Sequence, residues 1–564
     1  MRSFIITRKD KIINFFGYLL ITIIVCIYYA AIQRFAINIP YGDEYGAALA
    51  WVNIYNHLTT FPEKLIHLFH QANEHRILTY YLSVLADYTI FGSLNFKALL
   101  WVGNLWMIIL FFLIFRLNKV EGRNPWFWIP VALLLFVPQH EISDWGIVAL
   151  AAIVQYPLAI LAMVFLNKPG RWNLITSVFF AVLTTFAFGN GMFIYISGYL
   201  ILLLGKQKNR QYWFAWSLAM ILSIGFYFTD YNFSQREGFT LSFLTHFLQT
   251  VQYFLAFFGS IFSPFIKGSI IFITIAGLFL ILLMGYLVFF KWGKTKEHPV
   301  ALAIILFIML TVAAASVSRI QFGVAGATAP RYVLLQALFL ALLYIVIMDI
   351  YKADKKWLLP IILFGSVVLY GGRLKQNFSS MEQHKSHLKE IIYYYYVDYE
   401  KIITFGPSPA IIKSTLDCAR QNGVYTPLTI RQLNPEIIML NISIPPVIEN
   451  NMKYSIDVLN DYPIASRVTG WAFLEHDNQA DQQIGLVLKS DTKTLVFTTE
   501  SHDRKDVKKY FTNAFPTLHK QMGFQIILDK KSFGIPNGSY KIGVCILQSH
   551  EIVGFQLTPQ YLIF

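Results

Sequence analysis

Only three cysteines, Cys26, Cys418 and Cys545, occur in 564 residues. They are too few and too scattered for a disulfide framework or a cysteine-based zinc site. Charge is also scarce: 14% of the residues are Asp, Glu, Lys or Arg, against roughly 25% in a soluble domain. That shortfall excludes an ordinary soluble globular chain, and it excludes the charge-rich composition of disorder. No internal repeat and no low-complexity tail is visible. What fills the chain instead is apolar: 56% hydrophobic, with 49 Phe and 32 Tyr. Such a composition suits lipid-facing surfaces and membrane–water interfaces.

Acids are outnumbered 32 to 46 by Lys and Arg, which leaves a net charge of +14. Residues 1–373 hold 27 cations and 14 acids, and residues 374–564 hold 19 and 18. The basicity therefore belongs to the hydrophobic part. Eighteen of its 27 cations fall in six clusters between apolar runs: Arg2/Arg8/Lys9/Lys11, Arg116/Lys119/Arg123, Lys168/Arg171, Lys206/Lys208/Arg210, Lys291/Lys294/Lys296 and Lys352/Lys355/Lys356. Alternation of cation-rich and cation-poor loops is what the positive-inside rule predicts. A nucleic-acid partner would need one contiguous basic face, and none is visible.

A spanning helix needs about 20 apolar residues. Candidate spans are 12–33, 96–115, 126–138, 145–167, 172–188, 191–205, 212–230, 269–290, 300–317, 332–351 and 357–372. Eleven spans with a cytoplasmic N-terminus put every basic cluster inside and the C-terminus outside. Two further apolar stretches, 76–92 and 251–266, are read as helices at the outer interface. The sequence thus predicts a polytopic α-helical membrane domain over 1–372, with a first outer loop at 34–95. An amphipathic helical connector is expected over 373–434. An extracytoplasmic β-sandwich is expected over 435–564, from short β-like runs separated by Asn478, Asp491 and Pro536-Asn537-Gly538, with Trp471 and Phe473 as core anchors.

The outer loops carry the residues able to do chemistry. The first opens with Pro40-Tyr41-Gly42-Asp43-Glu44-Tyr45. A carboxylate held there could take a proton from an acceptor hydroxyl, or Asp43 and Glu44 together could hold a divalent cation such as Mg or Mn through oxygen. Further along, Asn73-Glu74-His75-Arg76 opens an apolar helix. Asn73 could be its cap and Glu74 could favour its dipole, but that leaves His75 and Arg76 unexplained. His67, His70, His75 and Glu74 are spaced too loosely to define a metal site, and interfacial histidines account for them better. The second outer loop holds His140, Glu141 and Asp144, and the third is Gly189-Asn190-Gly191. The segment 318–332 carries Arg319, Arg331 and Tyr332 among small residues. Arginines bind phosphate bidentately, so this pair suits a lipid phosphate or pyrophosphate.

With these residues the chain resembles the GT-C superfamily, integral-membrane glycosyltransferases that use polyprenyl-phosphate-linked sugars. Asp43-Glu44 matches the acidic pair such proteins carry just after the first helix. Asn73-Glu74-His75-Arg76, residues 77–90 and Phe91-Gly92 follow the order seen in the aminoarabinose-transferase and O-mannosyltransferase branch, without that branch's prolines. Arg319, Phe322-Gly323 and Arg331-Tyr332 resemble a segment of bacterial surface-polysaccharide and serotype-modifying enzymes, and Gly470-Trp471-Ala472-Phe473 resembles their β-sandwich tails.

The resemblance implies inverting transfer of a sugar to a hydroxyl on a glycan, lipid or protein, at the outer face of a bacterial cytoplasmic membrane. Asp43 would be the base, supported by Glu44 or Glu74. Arg331 and Arg319, with Arg76, would meet the donor phosphate. Tyr45, Asn73, His75, His140, Glu141, Asp144, Asn190 and Tyr332 complete the candidate substrate surface. The competing classes are an O-antigen ligase or polymerase, a flippase or transporter of lipid-linked sugars, and a non-catalytic scaffold whose sandwich binds glycan.

Overall fold

The computed structural model describes residues 8–117, 124–205, 209–233, 245–266, 269–351, 355–404, 406–442, 451–475, 482–511, 514–515, 521–549 and 551–564. Arg2, Lys119, Arg123, Lys206, Lys208, Lys352 and Asn478, singled out above, lie outside the described residues. The chain divides into two compact units, Met1–His387 with Thr415–Thr426, and Leu388–Ser414 with Pro427–Phe564.

In the first unit each of the eleven apolar runs falls largely in helix, although the run 126–138 leaves it after Leu135 and the run 212–230 after Tyr227. Seven helices among the described residues are long and apolar enough to cross a membrane: Lys11–Phe35, Phe96–Leu117, Val148–Leu166, Ile270–Phe290, Pro299–Phe322, Pro330–Ile350 and Trp357–Val397. Pro125–Leu135, Arg171–Ala187 and the helix ending at Leu204 are apolar but shorter. The architecture is that of a polytopic membrane protein with a C-terminal sheet region. Its apolar residues sort by position in the bundle. Val333–Ile350 is apolar all round and almost wholly buried, as expected of a helix enclosed by others. Ile270–Phe290 instead turns Phe272, Phe279, Phe289 and Phe290 outward, a surface that water would penalise and lipid accepts.

The two stretches expected at the interface are the helices Leu78–Phe91 and Phe247–Gly259. The second packs closely on Ile270–Phe290 through a glycine on each side. A Cβ on Gly277 would stand 1.7 Å from the Leu255 carbonyl oxygen, and one on Gly259 1.9 Å from that of Ile273. Small residues let membrane helices approach this closely. The change in texture at 373 is not a break in the backbone. Lys355–Val397 is one helix of 43 residues, because a polar sequence with helical spacing continues the hydrogen-bond ladder that the apolar one begins.

The second unit holds two antiparallel sheets. One has five strands, in the order Glu551–Ile563, Ser539–Gln548, Gln483–Lys489, Thr494–Thr498 and Met439–Leu440. The other has four, in the order Met452–Asp461, Ala465–Leu474, Gly523–Asp529 and Glu500–His502. Val468, Ala472, Phe524 and Ile526 from the second share one apolar cluster with Leu486, Leu488, Phe497 and Val544 from the first. Trp471 and Phe473, expected to anchor that core, do not join it. Side chains alternate along a strand, so with Ala472 and Leu474 facing the shared cluster, Trp471 and Phe473 pack on the other face with Val507, Phe511 and Met522.

Candidate functional site

The loop 139–145 is held by polar side chains of two neighbouring helices. Asn104, fully buried on the helix Phe96–Leu117, accepts from the Tyr28 hydroxyl at 2.5 Å and donates to the Ser143 carbonyl at 3.0 Å. Ser143 Oγ in turn accepts from the Gln139 amide at 3.1 Å. Burying these polar groups is tolerable only because each is paired. Thus held, the loop places Glu141 at φ +63°, a left-handed backbone that non-glycine residues seldom adopt. The bend lets Asp144 reach back. Its Oδ1 accepts from the Glu141 amide at 2.7 Å and its Oδ2 lies 3.1 Å from His140 Nδ1. Burial opposes a charge on His140, but the bond to Asp144 and the nearby Glu141 outweigh it and raise the imidazole above its ordinary pKa.

Asp43 and Glu44 diverge. Gly42, at φ +56°, turns the chain into a π-helical turn over Tyr45–Ala50 that begins beside both acids. Glu44 is 2% exposed; its Oε2 accepts from the Tyr41 amide at 2.8 Å, and its Oε1 accepts from the Tyr80 hydroxyl at 3.4 Å. A Cβ on Gly146 would lie 2.3 Å from Oε1, so only glycine admits the carboxyl there. Burial pushes Glu44 up to about 8, against the opposing hydrogen bonds from Tyr41, Tyr80, Ile147 and Gly146. Glu44 is therefore largely a neutral acid at neutral pH.

Asp43 stays half-buried, and its carboxylate has no hydrogen-bond partner among the described residues. Of the pair expected to hold Mg or Mn, Glu44 is buried with its two carboxyl oxygens accepting from Tyr41 and Tyr80, so only Asp43 presents an uncommitted carboxylate. Protonated Glu44 is the form the fold favours. Stability from this group is thus greatest at low pH and falls as pH rises towards about 8. Thermal unfolding of the detergent-solubilised protein from about pH 5 to about pH 8 should show the wild type losing ground steadily to Glu44→Gln. Parallel pH profiles would contradict the assignment.

Tyr41 is the common neighbour of these groups. Its hydroxyl is raised to about 12, chiefly by burial, then by Glu141 and Asp144, and Arg331 pulls the other way. Its ring meets Trp145 at 5.3 Å and His384 at 4.4 Å, both edge-on. His384, on the long helix Lys355–Val397, also lies 4.7 Å from the His140 ring.

The segment 318–332 is tied to both acidic loops. Arg331 Nη1 donates to Glu141 Oε2 at 3.1 Å, and Arg319 Nη2 lies 3.7 Å from Glu74 Oε2. The Arg331 side chain remains 31% exposed. Tyr332 lies beneath its guanidinium at 5.3 Å and packs on Phe257. So the structure brings Asp43, Glu141, Asp144, His140, Arg331 and Tyr332 into one neighbourhood, with Glu74 and Arg319 paired to each other.

Other expected residues serve the fold. Asn73 is not a helix cap. Gln71–Ala72 and His75–Arg76 pair as a small hairpin, and Asn73 takes the left-handed turn position at φ +49°. Arg76 is buried and spends its guanidinium on backbone, donating to the carbonyls of Tyr227 at 2.6 Å and of Phe69 and Thr229. It clamps the end of the helix Arg210–Tyr227 and is buried rather than open to a phosphate. Tyr45 is 1% exposed and faces the core, so it cannot meet a substrate. His75 lies against Phe188 and so close to Gly189 that a Cβ there would stand 2.3 Å from its Nδ1. Asn190 donates to Thr311 Oγ1 at 2.8 Å.

Tyr41, Tyr80, Gly146 and His384 were not among the expected site residues. Tyr41 and Gly146 flank the acidic motifs and could have been found by adjacency. Tyr80 and His384 lie in other helices and carry no local signal. The chain matches no family model, no curated protein and no solved structure.

Proposed function

We propose that the chain transfers a sugar from a polyprenyl-phosphate donor to an acceptor hydroxyl at the outer face of a bacterial cytoplasmic membrane. The observation that carries this reading is one unpaired carboxylate, Asp43, in the neighbourhood of an accessible arginine, Arg331, on a segment of small residues. Asp43 takes the proton from the attacking hydroxyl as oxygen bonds to the anomeric carbon. The bond from that carbon to the donor's phosphate oxygen breaks on the opposite face, so configuration inverts. A lipid phosphate leaves as an anion and needs its charge met rather than a proton. Arg331 and Arg319 supply that charge, and Glu141 and Glu74 hold the two guanidinium groups in place until a phosphate displaces them. Glu44, neutral and rigid, fixes the turn that presents Asp43.

On this reading the eleven helical runs span in GT-C-like fashion, with the N-terminus inside. The two sheets form an extracytoplasmic sandwich, and the acceptor is a glycan, lipid or protein. Charge-assisted hydrogen bonds are worth about 1.5–3 kcal/mol. Arg331→Ala should accordingly raise the donor concentration needed for half-maximal transfer by roughly ten- to a hundred-fold, with Arg331→Lys intermediate. The measurement is transfer by membranes supplied with increasing amounts of the host's polyprenyl-linked sugar. Unchanged donor dependence in Arg331→Ala would remove the phosphate-binding role.

A further inference from the structure

We propose that His140, Asp144 and His384 bind a divalent transition-metal ion of the zinc class. One ligand atom from each of the three residues lies within 4.8 Å of the others. The pair on the second outer loop, His140 Nδ1 and Asp144 Oδ2, is at 3.1 Å. Two ligands about 2.0–2.1 Å from a tetrahedral zinc ion stand about 3.4 Å apart, so that pair is already at ligand spacing and only the third donor must close in.

The second observation is independent of this spacing. His384 is 7% exposed, and its Nε2 is buried with no hydrogen-bond partner among the described residues. An orphaned buried nitrogen is costly, and a metal bond would remove that cost. The supporting contacts also suit a ligand set. Asp144 Oδ1 is fixed by the Glu141 amide, which leaves Oδ2 for the ion. Glu141 holds the left-handed backbone that makes this possible.

Two imidazoles and one carboxylate favour zinc over magnesium or calcium, which prefer all-oxygen shells. Three protein ligands leave the fourth position to water or to an oxygen of a bound molecule. The ion would tie the loop holding His140 and Asp144 to the helix Lys355–Val397, whatever reaction the protein performs.

The test uses the full-length chain in detergent, stripped with chelator and titrated with zinc sulfate against a chromophoric competitor. The wild type should take up one equivalent per chain and unfold at a higher temperature with zinc than without. Cobalt substitution should give the visible absorption of a four-coordinate nitrogen–oxygen site. His384→Ala and Asp144→Asn should each weaken zinc binding at least ten-fold, and His387→Ala should leave it unchanged. If either variant does not fold, the wild-type stoichiometry, zinc-dependent unfolding temperature and cobalt spectrum decide the matter. Folded wild type that takes up no stoichiometric zinc, or His384→Ala with wild-type affinity, would overturn the proposal and leave His140–Asp144 as a plain ion pair.

Discussion

Asp43→Asn should lower sugar transfer by about 10²–10⁴-fold, the usual contribution of a positioned general base, while the protein accumulates and unfolds as the wild type does. Stability should be spared because the Asp43 side chain makes no hydrogen bond among the described residues that Asn would lose. The same cannot be said of its neighbour. Glu44 is enclosed by Tyr41, Tyr80 and the backbone at Gly146 and Ile147, so truncating it to Ala empties a buried polar pocket and affects folding before chemistry. Comparing Asp43→Asn with Glu44→Gln therefore separates the two acids of the motif. The first should cut transfer at full stability, and the second should change the pH dependence of stability with a smaller effect on transfer. Rates are read on membranes matched for protein amount. Equal transfer by Asp43→Asn and wild type would exclude Asp43 as the base.

Arg76→Ala should be the most destabilising change at any of the expected site residues, by roughly 3–5 kcal/mol, since hydrogen bonds from a charged donor are worth about 1.5–3 kcal/mol each and three of them are lost less than additively. The guanidinium donates to three backbone carbonyls, those of Phe69, Tyr227 and Thr229. Alanine would remove these donors, leaving the Tyr227 carbonyl buried without one, and would release the hairpin 71–76 from the helix Arg210–Tyr227. Arg76→Lys should recover part of the loss, since one ammonium can reach one or two of the three. The check is the yield of folded protein and its unfolding temperature in detergent. A variant of normal stability with weakened donor use would instead mean that Arg76 binds phosphate.

The contrast between these two residues shows how far the sequence could be read. Long apolar runs need only composition, so the helices of the first unit were legible, as was the turn to short strands after about residue 435. Met452–Asp461 is polar and lies at a sheet edge, where one face is solvated, so its sequence marks a strand only weakly. Glu551–Ile563 contains Pro559, which argues against a central strand; the proline is tolerated because this strand too is an edge. At the site, residue type marked which positions were unusual but not where their side chains point. Asp43 and Glu44 are adjacent, yet one is left free and the other is sealed behind Gly146. Arg76 and Arg331 look alike in sequence, yet one faces carbonyls and the other a carboxylate and solvent. His384 lies more than 200 residues from His140, on a helix whose local pattern marks it only as polar, so no spacing rule could have joined them.

Under the proposed function, this chain adds a sugar with Asp43 as the base. The most direct test is mass spectrometry of surface glycans from a deletion strain complemented with either the wild-type gene or the Asp43→Asn variant, at equal protein levels. Deletion should remove one hexose- or pentose-sized increment, the wild type should restore it, and Asp43→Asn should not. Identical glycan masses with and without the protein, or full restoration by Asp43→Asn, would contradict it.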